Sequence, residues 1–155
     1  MLFVSLLIAT VSFAAAPKFE GIYSQAMQYR MGMSDSDCAQ AGGKFEEGGC
    51  RLVGTNTLQI QDTGDGKNFN VSFAIQGSSG NECSAELLMK AKGNKLIPSA
   101  KLKGASAGHK LTLVLKGDEL EVQEKLGAAE LEENHSPGCG VDSFLSGNGH
   151  KFERN

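Results

Sequence analysis

The sequence predicts an all-β fold, a small antiparallel β-barrel or β-sandwich held by two disulfides. Three observations carry that expectation. Apolar residues recur mostly at every second position, the period of a half-buried strand and not of a helix. Twenty glycines divide those segments into short runs, and no helical run alternates with them as a parallel sheet would need. The chain also holds four cysteines, an even number in a short sequence, which is the arithmetic of a disulfide framework.

The first element is a leader. Met1 to Ala16 read MLFVSLLIATVSFAAA, an apolar run followed by small residues, with Lys18 the first charged side chain. A membrane-spanning helix needs about 20 apolar residues, so the run matches the apolar core and cleavage zone of a signal peptide. Ser12 and Ala14 suit the positions before the cut, giving a signal peptide over 1–14 and one domain over 15–155. The segment before the apolar run carries no Lys or Arg, so either the amino group of Met1 supplies the charge or the true start lies upstream. No cysteine stands at the cut and no second long apolar span follows, so no stable membrane anchor is expected after cleavage.

Along the domain, Phe19 to Tyr23 and His150 to Glu153 read as short strands able to pair and close the sheet. Ser24 to Asp37 is the least regular stretch and reads as a loop or short helix. Leu58 and Ile60, then Phe69, Val71, Phe73 and Ile75, alternate with polar residues around the connector DTGDGK, which predicts a β-hairpin with one apolar face. Cys83 to Lys90 is a further strand, turned by Lys92-Gly93-Asn94 into Leu96-Ile97. Pro98 interrupts that next strand or puts it on an edge, and Ala100 to His109 is an edge strand or a loop. Leu111, Leu113 and Leu115 form a second hairpin with Leu120 and Val122 across Lys116-Gly117-Asp118. Only Gln123 to Glu133 has a helical pattern, weakened by Gly127.

Four cysteines allow three pairings. Cys38 and Cys50 bracket a Gly-rich stretch long enough to fold back on itself, which leaves Cys83 to Cys139. On the chain-entropy estimate the short loop stabilises by about 3 kcal/mol and the long one by about 4.

A net charge of −3 implies no obligatory nucleic-acid partner. Its distribution says more. Seven lysines and no acid lie between Lys90 and Lys116, and seven acids with one lysine lie between Gly117 and Glu133. Neighbouring antiparallel strands would bring these charges face to face; the other reading is a binding patch.

Candidate chemistry is sparse. The loop Asp62-Thr63-Gly64-Asp65-Gly66-Lys67 has calcium-loop composition, but only Asp65 stands where a strong ligand belongs, and a hairpin turn explains the same residues. His109, His135 and His150 have no metal-ligand spacing. His135 precedes Cys139 by four residues, a nucleophile pair only if Cys139 is not in a disulfide. The carboxylates at Glu46-Glu47 and at Glu130, Glu132 and Glu133 are expected in loops or turns. No phosphate loop, dinucleotide fingerprint or nucleophile elbow occurs. No cofactor and no metal are expected. Asn70-Val71-Ser72 and Asn134-His135-Ser136 are glycosylation sequons.

Three fragments taken in order, FEGIY, NECSAELLMKAKGNKL, and LTLVLKGDELEV followed by GCGVDSFLSGNGHKF, resemble small secreted β-domains of bacterial envelopes. Among these are domains associated with lysozyme-inhibitor proteins. The resemblance implies a bridge between Cys83 and Cys139. Cys38 to Cys50 then looks like an insertion, and Ser146-Gly147-Asn148-Gly149 echoes the family's inhibitory Ser-Gly loop.

The expected function is therefore an exported, non-catalytic binding protein in the periplasm or outside the cell. Its partner would be a basic envelope or secreted protein such as lysozyme, docking on Asp118, Glu119, Glu121, Glu130, Glu132 and Glu133. The alternatives are a small envelope hydrolase or metal-dependent enzyme, and a barrel carrying an apolar ligand.

Overall fold

The computed structural model describes residues 17–77, 81–133, 135–137, 139, 144–147 and 149–155; the expected leader and the sequon at Asn134 lie outside them. The strands are β1 (Gly21–Met31), β2 (Lys44–Glu46), β3 (Gly49–Asp62), β4 (Asn68–Gln76) and β5 (Glu82–Lys92). They continue with β6 (Lys95–Pro98), β7 (Lys110–Lys116), β8 (Glu119–Lys125) and β9 (Lys151–Arg154). Two short helices interrupt them, α1 (Asp35–Gln40) and α2 (Ala128–Glu133).

All pairings are antiparallel, and all strands but β2 close into an eight-stranded barrel. Closure is made by β1, which runs beside β3 from Gly21 to Met31 and also meets β9 at Tyr23 and Ser24. The expected pairing of the chain's early and late strands is thus present. Arg154 clamps it. Its guanidinium donates to the Glu20 carbonyl (2.6 Å), to the Lys18 carbonyl and to the Tyr23 hydroxyl (2.6 Å), and lies 4.9 Å from the Tyr23 ring centroid. Tyr23 in turn donates to the Phe19 carbonyl at 2.8 Å. Burial pushes the Tyr23 phenol up in pKa, and Arg154 opposes that shift.

The inward set follows the two-residue period. Tyr23, Leu58, Ile60, Val71, Met89, Leu96, Leu113, Leu120, Val122 and Phe152 are all buried, so side chains fill the barrel. Gln59, Gln61, Asn70, Glu86 and Lys90 are exposed on the outside. Membrane-spanning barrels have the reverse arrangement, with an apolar outer band.

Several expectations are corrected. Ser24 to Met31 is strand, not loop. Tyr23, Gln25 and Met27 point inward at period two, and the polar Gln25 in that row hides the pattern. Helix α1 is signalled by Ser34, whose Oγ accepts from the Asp37 amide at 3.2 Å, with Asp35 and Asp37 in the first turn. Gln123 to Lys125 belong to β8, so only the second half of the helical pattern is helix, starting after Gly127. Glu130 and Glu132 therefore sit on α2 and not in a turn. Of the two readings offered for Ala100 to His109, the structure has the loop.

Both disulfides are present, Cys38–Cys50 with Cα atoms 5.4 Å apart and Cys83–Cys139 with Cα atoms 4.3 Å apart. The first belongs to a projecting lip in which the far ends of β1 and β3 run past the barrel and β2 adds to β3. Cys38, Cys50 and Leu52 are its small core, with Tyr29 and Met33 packed beside them. Gly43 is obligatory there: an added Cβ would lie 2.5 Å from Cys50 Sγ and 2.8 Å from the Arg51 carbonyl.

Between lip and barrel lies a buried polar pair. Asn56 donates to Gln25 Oε1 (2.9 Å) and accepts from the Gln76 amide (2.8 Å), while Gln25 donates to the Lys151 carbonyl (3.1 Å). The last β3–β4 pair is Thr57 with Ala74, so the Asn56 side chain satisfies a backbone donor that the parting strands would orphan.

Candidate functional site

The described acids of the expected docking patch differ in exposure and pairing. Asp118 tops the β7–β8 turn with its side chain 91% exposed, and its Oδ1 stands 3.6 Å from Arg154 Nε. Glu119 pairs with Lys151 at 3.2 Å and Glu121 with Lys116. That contact lowers the Glu121 pKa and raises that of Lys116. Glu132 is exposed on α2, and the side chain of Glu133 lies outside the described set.

Glu130 is a correction, because it is buried at 3% exposure. Its carboxylate accepts from the Ser106 hydroxyl and from the Ser106 amide (2.5 Å), which hold its pKa down to about 2. Gly127 makes room for this bond: a Cβ there would stand 2.0 Å from Ser106 Oγ and 2.8 Å from Glu130 Oε2. Glu130 therefore fastens the loop after β6 onto α2 and is not available to a partner.

Beside it lies a cluster the sequence did not disclose. His109 Nε2 and Glu124 Oε1 are 2.9 Å apart, both side chains only 2% exposed, and the Ser136 hydroxyl donates to the same oxygen at 2.6 Å. Ser136 Oγ also accepts from the Leu145 amide at 3.0 Å. Glu124 Oε2 is buried without a hydrogen-bond partner. The hydrolase alternative has its best residues here, yet a nucleophile–base pair needs serine bonded to histidine. Here both bond to the carboxylate, and the serine hydroxyl is committed twice. The arrangement ties the end of the loop before β7 to β8 and to the segment after α2. Residues 109, 124 and 136 are too far apart in sequence for any spacing rule to collect.

The other candidates also resolve into structure. Cys139 is in a disulfide, which removes it as a nucleophile for His135. In the β3–β4 loop, Asp65 accepts from the amides of Asn68 (2.7 Å) and Lys67 (2.8 Å), which with the Asn68 side chain lower its pKa to about 2. Asp62 accepts from the amides of Gly64 (2.8 Å) and Gly66 (3.1 Å). These carboxylates serve their own backbone. No group of three or more metal-ligating side chains occurs among the described residues. Ser146 is buried, and Gly147 faces the Gln25–Asn56 pair, where a Cβ would stand 2.3 Å from Gln25 Oε1. Asn70 is exposed on the outer face of β4.

The lysines are placed differently. Lys90, Lys92, Lys95, Lys101, Lys103 and Lys110 are all exposed, and among the described residues none of them forms an ion pair. Among the described residues, Lys116 is the lysine of this block that makes the expected pairing with the acidic block. Register explains why: Lys92 lies opposite Lys95, and Lys110 lies opposite Lys125. Lys90, Lys92 and Lys95 gather at the β5–β6 turn beside the exposed Leu88 and Ile97. No family model matches this chain, and no curated protein or solved structure is significantly similar to it. Among the described residues no helix is long and apolar enough to cross a membrane.

Proposed function

We propose that the chain is an exported, non-catalytic binding domain that recognises an anionic partner at the cell envelope, in the periplasm or outside the cell. The observation that carries this reading is the set of exposed lysines without ion pairs on β5, β6 and the segment into β7, in a chain of net charge −3. Like charges opposed across a sheet repel, and a partner of opposite charge relieves that repulsion while its encounter is steered. Two disulfides fit an oxidising compartment, and the leader motif supplies the route. The filled interior favours recognition on the outside of the barrel.

A direct test measures binding of the chain to dextran sulfate, a soluble polyanion, across a salt series. Binding should weaken steeply with salt and in the triple variant Lys90→Glu, Lys92→Glu, Lys95→Glu. Equal retention of that variant would remove the lysine face from the reading.

A second reading keeps the partner basic, with lysozyme as the example. It is favoured by the exposed Asp118 and Glu132 and by the Cys83–Cys139 bridge that the resemblance implies. It requires the chain to slow lysozyme clearing of a bacterial cell-wall suspension, and Asp118→Lys with Glu132→Lys to abolish that protection.

A further inference from the structure

The lysine face has shape as well as charge. A groove of about 870 Å³ runs along the outside of β5 and β6, within the range of about 300–1,000 Å³ usual for ligand sites. Its walls include Leu88, Ile97, Pro98, Lys90, Lys92 and Asn68. Leu88 is 48% exposed and Ile97 39%, on adjacent strands where polar residues would serve a solvated surface better. We propose that this groove binds a single-chain anionic amphiphile, with the acyl chain on Leu88 and Ile97 and the headgroup at Lys90, Lys92 and Lys95. The proposal rests on the lysine face being the recognition surface.

Charge sets the direction of the ligand. Going from Glu86 to Lys92, the outward positions of β5 read Glu, Leu, Lys, Lys, and every one is exposed. Register puts Ile97 opposite Lys90 and Lys95 opposite Lys92, so β6 repeats the order from apolar to cationic. An anionic head is attracted to the turn end and repelled from Glu86. The chain then lies over the apolar pair and leads away from the turn.

The site is built before any ligand arrives. The Ala91 amide donates to the Lys67 carbonyl at 2.8 Å, fixing the β3–β4 loop against β5, and that loop is held by Asp62 and Asp65. On the other wall the Ser99 amide donates to the Leu88 carbonyl at 2.8 Å. Preformed walls spare the ordering cost that weakens flexible sites. Leu88 and Ile97 stand on strands about 4.8 Å apart, a width for one chain laid along the sheet.

The test is calorimetric titration of the full chain with lysophosphatidylglycerol below its micelle-forming concentration. Glycerol 1-phosphate is the head-only control and lysophosphatidylcholine the zwitterionic one. Saturable binding of lysophosphatidylglycerol is expected, with both controls weaker by about tenfold or more. The pair Leu88→Asn, Ile97→Thr should lose about tenfold for the amphiphile while binding dextran sulfate unchanged. Leu88→Met with Ile97→Val should keep both ligands and guards against a folding artefact. If the polar pair leaves amphiphile binding intact, or the amphiphile fails to saturate while dextran sulfate still binds, the groove assignment is wrong and the lysine reading stands. If dextran sulfate also fails to bind, both are wrong.

Discussion

Glu130 and Lys90 come from adjoining blocks of opposite charge, and the fold uses them in opposite ways. Glu130 is buried and bonded twice to Ser106. Lys90 is exposed and forms no ion pair among the described residues. Their neighbours follow suit: Glu119, Glu121 and Glu124 are engaged by Lys151, Lys116 and His109, whereas Lys92 and Lys95 face one another. A run of like charge in a sequence therefore says little about which charge is free to meet a partner. Burial and cross-strand register decide that, and here they bury Glu130 while leaving Lys90, Lys92 and Lys95 exposed without an ion pair among the described residues.

The comparison breaks most readily at Gly127. Gly127→Ala drives a methyl group into Ser106 and the Glu130 carboxylate, and overpacking of this kind costs about 1–3 kcal/mol. Urea unfolding should show the loss, and an unchanged midpoint would mean the loop is not fastened there. A smaller effect separates Glu130 by pH. Its folded pKa, about 2, lies below the usual 4.5, so its stabilisation is complete above the unfolded value and fades as pH falls through the folded one. Thermal scans of Glu130→Gln should be flatter than those of the parent from about pH 5 down to about pH 2. Parallel curves would show that the carboxylate carries no such linkage. The smallest change belongs to the lysines: Lys92→Gln or Lys110→Gln should shift stability by no more than about 0.5 kcal/mol, upward if at all. A marked loss in either would reveal a hidden partner and undo the contrast.

The hairpins were legible because Phe69, Val71, Phe73 and Ile75, and likewise Leu111, Leu113 and Leu115 and then Leu120 and Val122, recur at every second position beside Gly-bearing turns, although Val114 is buried as well. The cysteine pairing followed from loop length and from what remained. The length of β1 was obscured because the inward row Tyr23, Gln25, Met27 contains an amide whose partner, Asn56, lies on another strand. The same reason hides the His109–Glu124–Ser136 lock, since no local pattern marks residues that meet only after the barrel closes. Charge blocks were visible, but their pairing depended on a register that puts Lys110 opposite Lys125. Periodicity reports which way a side chain points; it is silent on what stands across from it.

Arg154 binds the phenol of Tyr23 across 131 positions of sequence, and that separation has a kinetic consequence. Until β9 arrives, β1 can pair with β3 but presents its other edge unpaired, with Ile22 beside it half exposed even in the finished molecule. Such an edge is a template for another chain, and long-range closures come slowly. If β9 docks last, the chain before that step is an open ribbon whose first strand lacks its second neighbour, and a chaperone or a second copy would compete for the same backbone.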